Sequence, residues 1–224
     1  MDTIRVLHFS DLLCVWAYIA QVRIDQLLET FPEQVTIDYH SCQVFGNVPT
    51  KMEKGWGHRG GIEAYRDHVL STAERFGHIE VHPDVWTTNT PQSSMSCHLF
   101  AAAVQQLAKQ EEFVAANQYP ELLWALRLAF FRDAKDIACW QVQAEVAEEI
   151  GLPVGKIQEQ IQSGKAYACL ANDLELASTY SLRISPTMIF NEGRQRLHGN
   201  VGYRVIEANV RELLHKEAEE LSWC

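Results

Sequence analysis

The 224-residue sequence lacks features that would assign it to two large functional classes. It has no excess of basic residues, because 29 Asp and Glu outnumber 19 Lys and Arg and give a formal net charge of −10. A nucleic-acid backbone requires a basic protein face, so we expect no nucleic-acid partner. No apolar stretch reaches the roughly 18 residues that cross a membrane, so we expect no membrane partner either.

The sequence also lacks closely spaced cysteines and a recognisable targeting segment. Its six cysteines lie far apart, at Cys14, Cys42, Cys97, Cys139, Cys169 and Cys224. Since no pair has the C-x2-C spacing typical of thiolate zinc sites, we predict no metal. The first residues, Met1 to Arg5, lack the basic start and apolar core of a signal peptide. We therefore expect a cytoplasmic protein whose cysteines are mostly free thiols.

What the sequence does contain is a globular composition and a clear pattern at its start. Hydrophobic residues make up 47% of the chain, enough for a full core. The apolar run Ile4 to Phe9 predicts a strand, and helical spacing predicts a helix over 15–30, stopped by Pro32. The alternation from Val35 to His40 predicts a second strand. This order indicates a parallel β-α-β unit.

The pattern changes in the middle of the chain and returns near its end. The glycine-rich stretch from Phe45 to Gly61 predicts a long loop, and helical periodicity then dominates to about residue 182. Thr187 to His198 predicts a hairpin, and a final helix is predicted from Tyr203 to Leu221. We therefore predict an α/β chain with two parts. Residues 1–61 and 183–224 form a domain with the thioredoxin layout, and residues 62–182 form an all-helical insertion.

Cys14 stands between the first predicted strand and the first predicted helix. The N–H groups at a helix start lack intrahelical partners, and the helix dipole places about half a positive charge there. Such a position stabilises a thiolate, which is the nucleophilic form of cysteine. We therefore predict that Cys14 is the most reactive of the six thiols, with a pKa below the free value of about 8.5. The alternative is that Cys14 only packs, as most cysteines do.

Four segments resemble the DsbA-like branch of the thioredoxin superfamily. Within it, the sequence is similar to the group of DsbA-type oxidoreductases, 2-hydroxychromene-2-carboxylate isomerases and kappa-class glutathione transferases. Asp11 to Tyr18 (DLLCVWAY) resembles the motif D-x-x-C-P-W-C-Y, and Ile184 to Phe190 (ISPTMIF) resembles V-P-T-F-V-I with its cis proline. The other two segments are Asn89-Thr90 with Cys97-His98, similar to N-T…A-H, and Ala129 to Ile137, similar to A-F-F…D-I. The matches fall in order and cover nearly the whole chain.

The resemblance implies a DsbA-like thioredoxin fold and a set of site residues. Cys14 would be catalytic, and the substrate-binding residues would be Asp11, Trp16, Ala17, Ser185, Pro186 and Asn200. For Trp16, packing alone is an equal interpretation. The resemblance also implies a cis Ser185–Pro186 bond close to Cys14. Ser185 would then present a backbone edge that pairs with an extended peptide or with glutathione.

Two departures from the family pattern bear on function. Ala17 stands where the family has its second cysteine, so it cannot release a mixed disulfide by internal attack. The acidic residue that holds the γ-glutamyl end in glutathione-using members falls near Asn200-Val201, where this chain has no carboxylate.

The leading prediction is a thiol oxidoreductase that acts through Cys14 on a small thiol or peptide substrate. Glutathione or another small thiol would be the co-substrate, with no tightly bound cofactor. One alternative is a glutathione-dependent transferase or isomerase of a small hydrophobic compound. Another is a non-enzymatic protein that binds a peptide or a partner. The sequence leaves the oligomeric state open, a homodimer included.

Overall fold

The computed structural model describes residues 3–110, 114–115 and 117–215, and the chain starts with the predicted β-α-β unit. Strand β1 (Ile4–Ser10) leads into helix α1 (Val15–Thr30), which is followed by strand β2 (Val35–Ser41). β1 and β2 pair in parallel, as predicted. Helix α1 ends just before Pro32, because proline has no N–H to continue the hydrogen-bond ladder.

The second half of the sheet comes from the end of the chain. Strands β3 (Thr187–Phe190) and β4 (Gln195–His198) form the predicted antiparallel hairpin, closed by a 3-10 turn at Asn191–Gly193. β3 also pairs antiparallel with β1, so the strand order is β2-β1-β3-β4. Because β1 is central, the segment that follows it emerges between two neighbouring strands.

A block of helices lies between β2 and β3 in the chain. It consists of α2 (Val48–Trp56), α3 (Gly61–Ala73), α4 (Met95–Ala108), α5 (Gln118–Phe131), α6 (Trp140–Glu149), α7 (Val154–Gln162) and α8 (Lys165–Thr179). Helix α9 (Tyr203–Leu214) follows β4, and the predicted continuation to Leu221 lies outside the described residues. No helix of the described ranges has both the length and the apolar character needed to cross a membrane.

The prediction of a long loop from Phe45 to Gly61 is wrong, because α2 forms within it. The side chain of Asn47 accepts a hydrogen bond from the Thr50 N–H at 2.9 Å, which caps the helix start. Val48 and Met52, one turn apart, are buried and hold the helix on the core. The glycines that suggested a loop act at the helix end, where Gly57–Arg59 forms a 3-10 turn.

Helix α1 connects the two largest hydrophobic clusters of the described residues. Its first half, including Tyr18 and Ile19, packs into the core formed with the helical block. Its second half, including Ile24 and Leu27, packs with the sheet and α9. Cys14 belongs to the first core and precedes α1 directly, so it lies where the sheet meets the helices.

Candidate active site

Cys14 is the N-cap residue of α1, as the sequence predicted. Its backbone is extended, with φ −89° and ψ 114°. Its carbonyl accepts hydrogen bonds from the N–H groups of Ala17 at 3.0 Å and Tyr18 at 3.1 Å, and its own N–H donates to the Asp11 carbonyl at 3.1 Å. These bonds define both the turn that leaves β1 and the start of the helix. The residue is only 6% exposed.

The sulfur of Cys14 is held as a neutral thiol. Its Sγ donates a hydrogen bond to the Ser185 carbonyl at 3.2 Å. Burial raises the pKa of the thiol, and the negative charge of Asp11 adds to this rise, although a Ser185 hydrogen bond and the N–H groups of Ala17 and Trp16 oppose it. The prediction of a lowered pKa is therefore wrong, because loss of solvent outweighs the helix start.

Asp11 lies beneath the thiol and organises the loop around it. It is fully buried. Its Oδ1 accepts a hydrogen bond from the Leu13 N–H at 3.0 Å, and its Oδ2 accepts from the Phe45 N–H at 2.7 Å and the Ser94 hydroxyl at 2.9 Å. The Nε2 atom of His98 lies 3.7 Å from Oδ1. Asp11 thus ties the Cys14 loop to the segment after β2 and to the start of α4, and its carboxylate has no open face toward a substrate.

The segment before β3 covers the sulfur. The Ser185–Pro186 peptide bond is cis. The Ser185 hydroxyl accepts a hydrogen bond from the Asp11 N–H at 2.9 Å, and the Pro186 carbonyl accepts one from the Gly199 N–H at 2.7 Å. The segments that follow β1, precede β3 and follow β4 therefore meet at Ser185–Pro186, against the sulfur of Cys14.

An open cleft of about 630 Å³ lies beside Ser185. Trp16, Ser185 and Asn200 line it, so the structure brings these three predicted residues together. Trp16 also packs edge-on against Phe76, with ring centroids 6.2 Å apart, so it both packs and faces the cleft. Ala17 and Pro186 are buried and do not line this cleft.

The cleft also contains a residue that the sequence did not reveal. The guanidinium of Arg75 lies 5.7 Å from the ring centroid of Trp16 and lines the same cleft. Arg75 follows α3, about 60 residues along the chain from Cys14, and no motif marks it. Its position follows from the packing of α3 against α1, which local sequence patterns do not encode.

A second cleft, of about 410 Å³, adjoins the first, because Ile184 lines both. Cys42, Lys51 and Arg183 line the second cleft. Cys42 follows β2 directly, and its N–H donates to the Ser10 carbonyl at 3.3 Å. Burial raises the pKa of the Cys42 thiol well above its usual value, and the nearby negative charge of Asp11 adds to the rise. No motif in the sequence surrounds Cys42, so its place in this cleft could not be predicted from its neighbours in the chain.

These features agree with a protein-family model. The model of the DSBA-like thioredoxin domain matches residues 5–211. The chain belongs to this family. The match confirms the predicted DsbA-like thioredoxin fold with its helical insertion, and it spans both the sheet and the helical block.

Solved structures share the fold of this DSBA-like domain at low identity. The chain is 18% identical to a probable DsbA oxidoreductase from Streptomyces coelicolor, with a TM-score of 0.73 over 96% of this chain and 92% of that one. It is 19% identical to the cytosolic disulfide reductase DsbM from Pseudomonas aeruginosa, solved with GSH, with a TM-score of 0.65 over 92% and 99%. A 2-hydroxychromene-2-carboxylate isomerase is 15% identical, with a TM-score of 0.65 over 96% and 98%. A search of the curated proteins found no match.

The DSBA-like domain of this chain has one cysteine in its motif. Ala17, one helical turn after Cys14, is 2% exposed and packs in the helical core. The cysteines at 14, 42, 97, 139 and 169 are free thiols, and Cys224 lies outside the described residues. Any disulfide exchange at Cys14 must therefore proceed without a thiol at position 17.

Proposed function

We propose that this protein is a thiol oxidoreductase that acts through Cys14 and uses glutathione or another small thiol as co-substrate. The observation that carries the proposal is the Cys14 thiol at the start of α1, 3.2 Å from the carbonyl of Ser185, a residue that lines an open cleft. Family membership supports it, and structural neighbours are named as an oxidoreductase and a disulfide reductase.

The reaction consists of two thiol–disulfide exchanges. First, the Cys14 thiol loses its proton to solvent and its thiolate attacks one sulfur of a disulfide R–S–S–R′. A Cys14–S–S–R bond forms, and R′–S⁻ leaves and takes up a proton. Second, a thiolate from solution attacks the mixed disulfide and releases Cys14, forming a new disulfide with R. The second step requires an external thiol because Ala17 carries none.

The surroundings of Cys14 affect these steps in opposite ways. Burial and Asp11 raise the thiol's pKa, so the thiolate is scarce at neutral pH. The N–H groups of Ala17 and Trp16 stabilise the thiolate when it forms. A ligand that pairs with the Ser185 carbonyl would displace the thiol from its hydrogen bond. We therefore expect ligand binding to promote reaction at Cys14.

The decisive experiment is intact-mass analysis after incubation with oxidised glutathione. Because Cys139 is exposed, the measurement uses a Cys139→Ser, Cys224→Ser background. We expect one glutathione adduct in this background and none after Cys14→Ser. The matched control Cys42→Ser should keep the adduct. An adduct that persists without Cys14 would contradict the proposal.

A glutathione-dependent transferase or isomerase is the second candidate. The observation that favours it is the neutral thiol of Cys14, which donates a hydrogen bond and could hold a glutathione sulfur without bonding to it. Binding of glutathione that survives Cys14→Ser, with no adduct in the wild type, would support this function. Inertness of Cys14 towards all thiol reagents would instead support a non-enzymatic binding protein.

We also propose a cytoplasmic location and a peptide or small-thiol partner. A glutathione pool would keep the cysteines free, as they are in the described residues. It would also supply the external thiol that the second exchange requires.

A further inference from the structure

The two adjoining clefts, one lined by Ser185 and the other by Cys42, carry a charge opposite to that of the whole protein. The chain has a net charge of −10. The charged side chains that line the clefts are nevertheless all cationic: Arg75 in one, and Lys51 and Arg183 in the other. Within the described ranges, no carboxylate lines either cleft. A cationic cleft concentrates anionic ligands, and low-dielectric walls strengthen the effect.

Asn200 presents a hydrogen-bond donor to the cleft. Its Oδ1 accepts a hydrogen bond from Nη1 of Arg23, on α1. Because the amide oxygen is engaged, the Nδ2 group is left to donate, and no acceptor among the described residues binds it. An ammonium group requires an acceptor, so this position does not suit a cation. It suits a carboxylate or a carbonyl.

Arg75 supplies the matching positive charge. Its guanidinium lies 5.7 Å from the ring centroid of Trp16 and 5.9 Å from that of Phe76, at distances typical of cation–π contacts. No carboxylate of the described residues lies within 4.0 Å of it. Its Nε–H donates to the Thr72 carbonyl at 3.5 Å, so the terminal N–H groups of the guanidinium remain for a planar anion.

We propose that the substrate of the Cys14 thiol is a small disulfide or thiol that bears a carboxylate. The carboxylate binds Arg75 and Asn200 while the ligand's sulfur meets Cys14. This inference rests on the proposed function and names its substrate class. In the exchange, Cys14–S⁻ attacks R–S–S–R, a Cys14–S–S–R bond forms, and the carboxylate-bearing R–S⁻ leaves. Glutathione would bind through a carboxylate and not through its γ-glutamyl ammonium.

Three small disulfides of similar length test the charge preference. They are 3,3′-dithiodipropionate, which is anionic, bis(2-hydroxyethyl) disulfide, which is neutral, and cystamine, which is cationic. The rate of adduct formation at Cys14 is measured for each in the Cys139→Ser, Cys224→Ser background. Each rate is divided by the rate of the same disulfide with 2-mercaptoethanol, which removes differences in intrinsic reactivity.

We expect the anionic disulfide to react about fivefold faster than the neutral one, the size of effect expected for one exposed ion pair. The cationic disulfide should be slowest, and added salt should reduce the differences. Arg75→Gln should abolish the preference. The matched control Lys165→Gln removes the same charge at the start of α8, where it lines neither cleft, and should keep the preference.

The outcomes separate this inference from the proposed function. Equal normalised rates for all three disulfides, or a preference that survives Arg75→Gln, would overturn the inference and leave the thiol chemistry intact. Failure of Cys14 to react with any of the three would overturn both. Asn200→Asp provides a second check. The new carboxylate should lower the rate of adduct formation with the anionic disulfide and raise the rate with cystamine.

Discussion

The two sides of Cys14 differ in burial, charge and function. On the inner side, the carboxylate of Asp11 is fully buried and accepts three hydrogen bonds. On the outer side, Arg75 is exposed and Asn200 is half-buried, and both face an open cleft. A buried charge is tolerated only when its hydrogen bonds are complete, whereas an exposed charge is solvated by water. We therefore expect the inner side to govern stability and the outer side to govern ligand choice.

The inner side also influences the reactivity of the sulfur. Asp11 is negative and close enough to raise the pKa of Cys14, in the same direction as burial. The outer side carries the positive charge of Arg75, so we expect a ligand that enters the cleft to meet this charge. Substitutions on the inner side should therefore change the free energy of unfolding, and substitutions on the outer side should change reaction rates.

The largest expected effect is that of Asp11→Ala. The change leaves the N–H groups of Leu13 and Phe45 and the Ser94 hydroxyl without their acceptor in a buried site. We expect the free energy of unfolding to fall by about 4 kcal/mol, measured by urea denaturation. The control Asp67→Ala removes an exposed carboxylate paired with Arg66 and should cost less than about 1 kcal/mol. Equal losses in the two variants would contradict the conclusion that the buried hydrogen bonds of Asp11 stabilise the fold.

Ala17→Cys should have a smaller effect on stability but a clear chemical result. The site is 2% exposed, so the added sulfur should cost about 1–3 kcal/mol by overpacking. Since position 17 lies one turn after Cys14, an internal disulfide should form under mild oxidation and bring activity in reducing insulin-type disulfides. Thiol titration and intact mass detect the disulfide.

The matched control for this change is Ala20→Cys, also buried in α1 but six residues from Cys14. It should not form the disulfide. If Ala17→Cys also fails to form it, the thiol of Cys14 does not point along α1. If the disulfide forms without new activity, the transferase or binding functions gain support.

The smallest expected effect is a shift in the pH profile of Cys14. Because the pKa of its thiol is raised, the alkylation rate should rise about tenfold per pH unit near neutrality. The alkylation rate of the folded protein should continue to rise above about pH 8.5, where the rate for the urea-unfolded chain reaches its plateau. A plateau below about pH 8.5 in the folded protein would show that the helix start outweighs burial.

The same raised pKa affects stability at alkaline pH. The unfolded chain loses the Cys14 proton first, so burial of the neutral thiol contributes stability that is complete below the unfolded pKa of about 8.5. This contribution is lost as the pH rises through the pKa that the Cys14 thiol has in the folded protein. The free energy of unfolding should therefore decline above about pH 8.5, and Cys14→Ser should decline less steeply.

Much of the fold could be predicted because its signals are local. The bounds of α1 agree with the predicted span 15–30, since apolar spacing and Pro32 mark it directly. The loop predicted from Phe45 to Gly61 failed because the glycine content suggested a loop, while the Asn47 cap and the buried Val48 and Met52 stabilise a helix there.

The candidate site was predicted only in part. Cys14, Ser185 and Asn200 were found because they stand in or beside segments that resemble a family motif. Arg75, Lys51 and Cys42 were missed because they line the clefts from α2, α3 and the end of β2, where no motif stands. Their positions depend on how these elements pack around α1.

The sequence by itself determined that a cysteine begins α1 after a buried strand, and that no thiol follows one turn later. Both properties depend on residues adjacent in the chain. Only the tertiary structure decided in which direction the pKa of that thiol shifts. Its hydrogen-bond partner Ser185 is 171 residues away, and its burial comes from the helical block. Desolvation depends on everything that surrounds an atom, whereas a helix start depends on a few consecutive residues. Helix position was therefore predictable, and the direction of the pKa shift was not.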